Sequence, residues 1–132
     1  MQKPKNKYKK EVVVAVSGGF DPLHIGHVRL FERAKALGDR LVVILNTDNW
    51  IQAKKQHGFM PAKERKEIIE ALKPVDAVML TRHRRPKTPR EMGVWKELAI
   101  LRPDIFANGG DRNEKDAANR CFNDRFCSFR KL

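Results

Sequence analysis

The sequence predicts an α/β fold, a Rossmann-like three-layer α/β/α arrangement around a mostly parallel sheet. Three observations carry that expectation. Residues 12–16 and 41–45 are unbroken apolar runs rich in β-branched side chains, the pattern of strands buried on both faces. Stretches of helical periodicity separate the strand-like runs, as crossover connections between parallel strands require. Glycine or proline punctuates most changes of period.

The elements follow in order. Residues 12–16 read as the first strand, broken by Gly18-Gly19. A helix over about 26–37 places Leu30, Ala34 and Leu37 on one face with Phe31 beside them, and Gly38 is expected to end it as a C-terminal glycine. Residues 41–45 are the second strand, and 46–60 form a polar loop without a period. Pro61 suits the first turn of a helix running to about residue 72, with Ile68, Ile69 and Leu72 as its apolar side and Pro74 as its stop. Residues 75–80 are a third strand. A basic loop (82–90) and a helix near 91–101 lead to a fourth, short strand at 104–107, closed by Gly109-Gly110. Right-handed crossovers between parallel strands put ligands beyond the strands' carboxyl ends. The polar segments 17–27, 46–48 and 108–111 all fall there.

The chain has 132 residues, one domain's length, read as a basic, disordered arm (1–11) followed by a domain (12–132). Its 28 Lys+Arg against 16 Asp+Glu give a formal net charge of +12, which invites a nucleic-acid reading. The location of the charge argues against that. Segments 1–11, 82–90 and 120–132 hold 14 of the basic and 2 of the acidic residues, so the body of the domain is neutral. No interleaved aromatics accompany the basic segments. No apolar run approaches the roughly 20 residues of a membrane-spanning helix, and the basic N-terminus lacks the apolar stretch of a secretory leader. Cys121 and Cys127 form neither a disulfide framework nor, without a histidine cluster, a zinc site. The expectation is a cytoplasmic protein with reduced thiols and no membrane or nucleic-acid partner.

The stretch that carries chemistry is Gly18-Gly19-Phe20-Asp21-Pro22-Leu23-His24-Ile25-Gly26-His27, between the first strand and the first helix. Glycines allow backbone to approach a phosphate, and a helix N-terminus offers free N–H groups and a positive dipole end. Two histidines three apart bracket Gly26 and can both donate to phosphate oxygens at the helix start. The competing reading is a capping turn with incidental histidines.

This segment resembles the signature of the HxGH nucleotidyltransferases, and within them the cytidylyltransferase-like group that includes glycerol-3-phosphate cytidylyltransferase and sugar-phosphate adenylyltransferases. The resemblance covers roughly residues 12–112. It continues through residues 30–39, the loop lysines, Arg65 in a Glu-Arg-Lys helix, Val75-Asp76 and residues 103–112. It implies transfer of CMP from CTP to a small, glycerol-phosphate-like phosphorylated acceptor with release of pyrophosphate, Mg²⁺ being carried by the nucleotide. The alternatives are an ATP-dependent adenylyltransferase of a sugar phosphate or a related phospho-acceptor, and a non-catalytic nucleotide- or nucleic-acid-binding protein. Related small transferases are commonly homodimers.

By the same resemblance, His24 and His27 contact the triphosphate, Lys54 grips phosphates, and Arg65 faces the acceptor phosphate or the nucleotide. Gly18, Gly19, Phe20, Asp21 and Gly26 form the nucleotide loop, with Asp21 holding either metal or turn. Asn108, Gly109, Asp111 and Arg112 lie near base and ribose. Asn46, Thr47 and Asp48 border the acceptor, and Trp50 stacks on a ligand or covers the core edge. Gln56 departs from the pattern, where a second basic residue is expected. The residue-based alternatives are solvated loop lysines, a surface Arg65 paired with Glu64 or Glu67, and a structural Asp76.

The family continues to a fifth strand and a Ser/Thr-rich second signature, and nothing like it follows Arg112, where Ser128 is the only hydroxyl of the final stretch. Phe122, Phe126 and Phe129, spaced by four and three, suggest instead a terminal helix, and Arg120, Arg125 or Arg130 would have to supply charge. The His-Ile-Gly-His string also occurs in class I aminoacyl-tRNA synthetases, whose later lysine-rich loop is missing here.

Overall fold

The computed structural model describes residues 10–48, 60–81, 94–108 and 128–131. In chain order these form β1 (Val13–Gly18), α1 (Ile25–Lys35), β2 (Arg40–Leu45), α2 (Ala62–Glu70), β3 (Ala77–Leu80), α3 (Trp95–Leu101), β4 (Ile105–Asn108) and β5 (Ser128–Lys131). All five strands join one sheet in the order β3-β2-β1-β4-β5, and every neighbouring pair is parallel.

Strand alternation sorts the apolar runs onto two faces. Val14, Val16, Leu41, Val43 and Leu45 pack with Phe31 and Ala34 of α1 and Ile69 of α2. Ala15, Ile44 and Phe106 pack on the other face with Val94 and with Leu98 of α3. That is the three-layer α/β/α arrangement, and it explains why β1 and β2 lack polar interruptions. From β1 the chain winds outward to β2 and β3, then crosses to β4 on the opposite side. The strand order therefore reverses between β1 and β4, where open α/β sheets form their ligand crevice.

At the amino end of the sheet one device occurs three times. Asp39, Asp76 and Asp104 each precede a strand. Their N–H groups donate to the carbonyls of Val12, Leu41 and Val13. Their Oδ2 atoms accept the N–H groups of the same three residues at 2.8, 2.7 and 2.8 Å. Burial opposes the charge of Asp76, but the Lys35 ammonium and the Leu41 N–H outweigh it and hold the carboxyl below the usual carboxylate range. The Val13 N–H, opposed by burial and aided by Lys10, lowers Asp104 likewise. The structural reading of Asp76 holds.

The structure corrects several local expectations. Gly38 is not the left-handed helix cap. The cap residue is Ala36, in right-handed conformation. Gly38 is required for close approach, since a Cβ there would lie 2.7 Å from Val14 Cγ2 and 2.8 Å from the Val12 carbonyl. Pro61 is the residue before α2 rather than its first turn. Ile68 is 42% exposed, and the buried side of α2 is Arg65 and Ile69, with Leu72 beyond its end. Phe129 lies in a strand, not a helix, because β4 has an unpaired edge that β5 fills. The basic arm through residue 9, loop 82–90, Cys121, Cys127, Phe122 and Phe126 lie outside the described residues.

Candidate active site

The segment from β1 to α1 is organised around rings. Phe20 is only 6% exposed and takes φ 50°, a left-handed conformation unusual for a bulky side chain. Its ring packs in the core, edge-on to Phe31 (5.1 Å between centroids) and to His27 (4.9 Å). Gly18 makes room for it, since a Cβ there would meet the Phe20 ring at 2.9 Å. The nucleotide-loop glycine is thus explained first by packing. His27 stacks on His24 at 3.9 Å. A continuous series of ring contacts therefore runs from the core to the exposed helix start.

The two histidines cap α1 reciprocally. His24 Nδ1 accepts the Gly26 N–H at 3.0 Å, and His27 Nδ1 accepts the His24 N–H at 3.2 Å. This is a capping box in which imidazoles replace the usual hydroxyl and carboxylate. It fixes the tautomer. With Nδ1 an acceptor on both rings, the proton of each neutral imidazole sits on Nε2 and makes that atom a donor. Gly26 is needed for this fold-back, because a Cβ would lie 2.7 Å from His24 Cε1. No acidic residue occupies the first turn of α1, so the helix places no carboxylate of its own at its positive end.

The other carboxyl-end residues form a second group. Asp21, 5% exposed, accepts the Met60 N–H at 2.7 Å, so its carboxylate ties the glycine loop to the segment entering α2. Asp48 Oδ1 accepts the Ala62 N–H at 3.0 Å and supplies the cap that Pro61 cannot. Thr81 Oγ1 accepts the Thr47 N–H at 3.2 Å.

Arg65 is fully buried. Its Nε donates to the Met60 carbonyl at 2.9 Å, and Nη1 donates to the carbonyls of Gly19 (2.6 Å) and Asn46 (2.8 Å). Nη2 donates to Asp48 Oδ1 at 2.9 Å. It is not a surface partner of Glu64 or Glu67, and four of its five N–H donors are directed at protein acceptors rather than at a substrate.

Asn46 and Asn108, ending β2 and β4 on either side of β1, are 2% and 3% exposed. Asn46 Oδ1 and Asn108 Nδ2 have no hydrogen-bond partner among the described residues. Such atoms are costly unless a ligand completes them. Thus the structure brings Gly18, Gly19, Asp21, His24, Gly26, His27, Arg65 and Asn108 to one end of the sheet. Lys54, Lys55, Gln56, Trp50, Gly109, Asp111 and Arg112 lie outside the described residues. Glu97, 3% exposed on α3, is a buried acid with no motif around it to mark it in the sequence, although its place three residues after Val94 sets it beside the buried stripe.

A family model described as cytidylyltransferase-like matches residues 15–121. The chain belongs to the cytidylyltransferase-like family. It is 38% identical over 100 residues to the FAD synthase of Ferroglobus placidus, covering 76% of this chain and 60% of that one. It is 37% identical over 103 residues to the bifunctional protein HldE of Koribacter versatilis, covering 76% of this chain and 20% of that one. The chain thus spans less than two thirds of the length of the first relative and a fifth of the second. Among solved structures, a lipopolysaccharide core biosynthesis protein from Thermoplasma volcanium GSS1 superposes with TM-score 0.77 at 24% identity, covering 93% of this chain and 97% of that one, which supports the fold. The family match takes in β1 from Ala15 onward, the histidine pair, α2 and β4, so the carboxyl-end cluster lies wholly within it. No helix among the described residues is long and apolar enough to cross a membrane.

Proposed function

We propose that the chain transfers a nucleotidyl group from a nucleoside triphosphate to the phosphate of a small acceptor. The observation that carries this reading is the reciprocal histidine cap, which leaves Nε2 as the donor atom of both neutral rings at the start of α1. An acceptor phosphate oxygen attacks the α-phosphorus. The bond from that phosphorus to the bridging oxygen breaks, and pyrophosphate leaves with the electron pair. No protein nucleophile is needed. The work is alignment and charge stabilisation, and a pre-aimed donor of this kind contributes about 2.7–4 kcal/mol.

Mg²⁺ enters with the triphosphate, whose oxygens and water suit a hard cation. Asp21 is engaged by the Met60 N–H, which favours its turn-holding role. Lys54 grips phosphates. Asn108 with Gly109, Asp111 and Arg112 borders base and ribose, and Asn46 borders the acceptor. The relatives named FAD synthase favour ATP as donor. The description of the family model favours the second reading, CTP as donor, and the glycerol-phosphate-like acceptor that goes with it rests on the resemblance in sequence alone. The protein is read as cytoplasmic and as a homodimer.

The test is pyrophosphate release with ATP or CTP, Mg²⁺ and a panel of glycerol 3-phosphate, a hexose 1-phosphate and flavin mononucleotide. Release that depends on one acceptor and one nucleotide is expected. No release with any pair, together with unchanged nucleotide binding in His24→Ala/His27→Ala, would sink the proposal.

A further inference from the structure

We propose that Arg65 is a positioning residue that clamps the histidine loop, the β2 exit and the entry to α2 into one rigid site. Its four hydrogen bonds reach three separate segments: Gly19 just past β1, Asn46 and Asp48 just past β2, and Met60 just before α2. Three of the acceptors are backbone carbonyls that no ladder or helix uses. Its salt-bridge partner Asp48 is 54% exposed on its side chain, so solvent screens that pair. A fold needing only stability at this place would be served by an apolar residue continuing the stripe of Ile69 and Leu72, since a buried cation is weak evidence for stability. The guanidinium holds five N–H donors in a rigid planar fork, enough for these four acceptors, whereas a lysine ammonium has three on a flexible stem. The clamp extends the nucleotidyl-transfer reading only in its consequence for nucleotide affinity.

The experiment is hydrogen exchange by mass spectrometry on the full chain and on Arg65→Lys and Arg65→Gln, with titration of MgATP and MgCTP. In the variants, amides of residues 17–24 and 46–48 are expected to exchange at least tenfold faster, while residues 14–16 and 41–44 keep their protection. The nucleotide dissociation constant rises about tenfold, more in Gln than in Lys. Uniformly faster exchange, unchanged exchange in the two loops, or loss of the cooperative fold in both variants would overturn the clamp. Should the wild type bind neither nucleotide, the transfer reading fails, and loop exchange alone still decides the role of Arg65.

Discussion

The two ends of the sheet are built on opposite plans. At the amino end Asp39, Asp76 and Asp104 each close a strand start reciprocally, giving and taking a backbone hydrogen bond. At the carboxyl end Asn46 and Asn108 are buried with an unpartnered amide atom each, and a phenylalanine is held in left-handed conformation beneath a stacked histidine pair. One end spends its polar groups on the fold. The other withholds some of them. That is the distribution expected when stability and ligand binding are assigned to different ends of one sheet.

Variants should therefore separate function from stability according to the end they touch. The largest effect is expected at the histidines. His24→Ala or His27→Ala should lower the transfer rate by roughly 10²–10³ each, while loss of the cap costs only about 1 kcal/mol of stability. Pyrophosphate release and thermal melts check both. Next, Asn108→Leu should weaken substrate binding about tenfold yet leave stability within about 1 kcal/mol, because removing an unpartnered buried amide atom offsets what its packing loses. A titration beside a denaturant melt checks it, and a stability loss above 3 kcal/mol would erase the contrast between the ends.

The amino end should behave in reverse. Asp104→Ala leaves the Val13 N–H without its acceptor and should cost about 1–2 kcal/mol with unchanged activity per folded molecule. The smallest effect is on pH dependence. Asp76 and Asp104 have lowered carboxyl pKa values in the fold, so their contribution is complete above the ordinary value of about 3.9 and is lost as pH falls through the lowered ones. Melting temperature should be flat from neutrality to about pH 5 and fall below about pH 4. Asp76→Asn/Asp104→Asn should flatten that acid slope, and an unaltered slope would remove both carboxylates from the account.

What could be read in the sequence follows the same division. The strand runs at 12–16 and 41–45 and the motif around His24 and His27 name the fold and the active end, because apolar period and glycine placement are local signals. Asp76 is legible as a structural acid for the same reason. Arg65 is not legible as a buried residue, since a charged residue amid Glu64, Lys66 and Glu67 reads as surface, although stepping back four residues from Ile69 lands on it. Gly38 matches a helix stop in sequence, and only the packed Val12 and Val14 reveal its purpose. The strand β5 is four residues long, with too little period of its own to announce it, and it exists by pairing with β4. Phe20 lies within a phosphate-loop motif, so its core role depends on Phe31, eleven residues along the chain.

The central claim is that the capped histidine pair at the start of α1 binds a triphosphate. Calorimetric titration of MgATP and MgCTP into the wild type and into His24→Ala/His27→Ala tests it most directly. Saturable one-site binding of at least one nucleotide in the wild type, weakened tenfold or more in a variant that still melts cooperatively, is the predicted result. Equal affinity in the two proteins would contradict it.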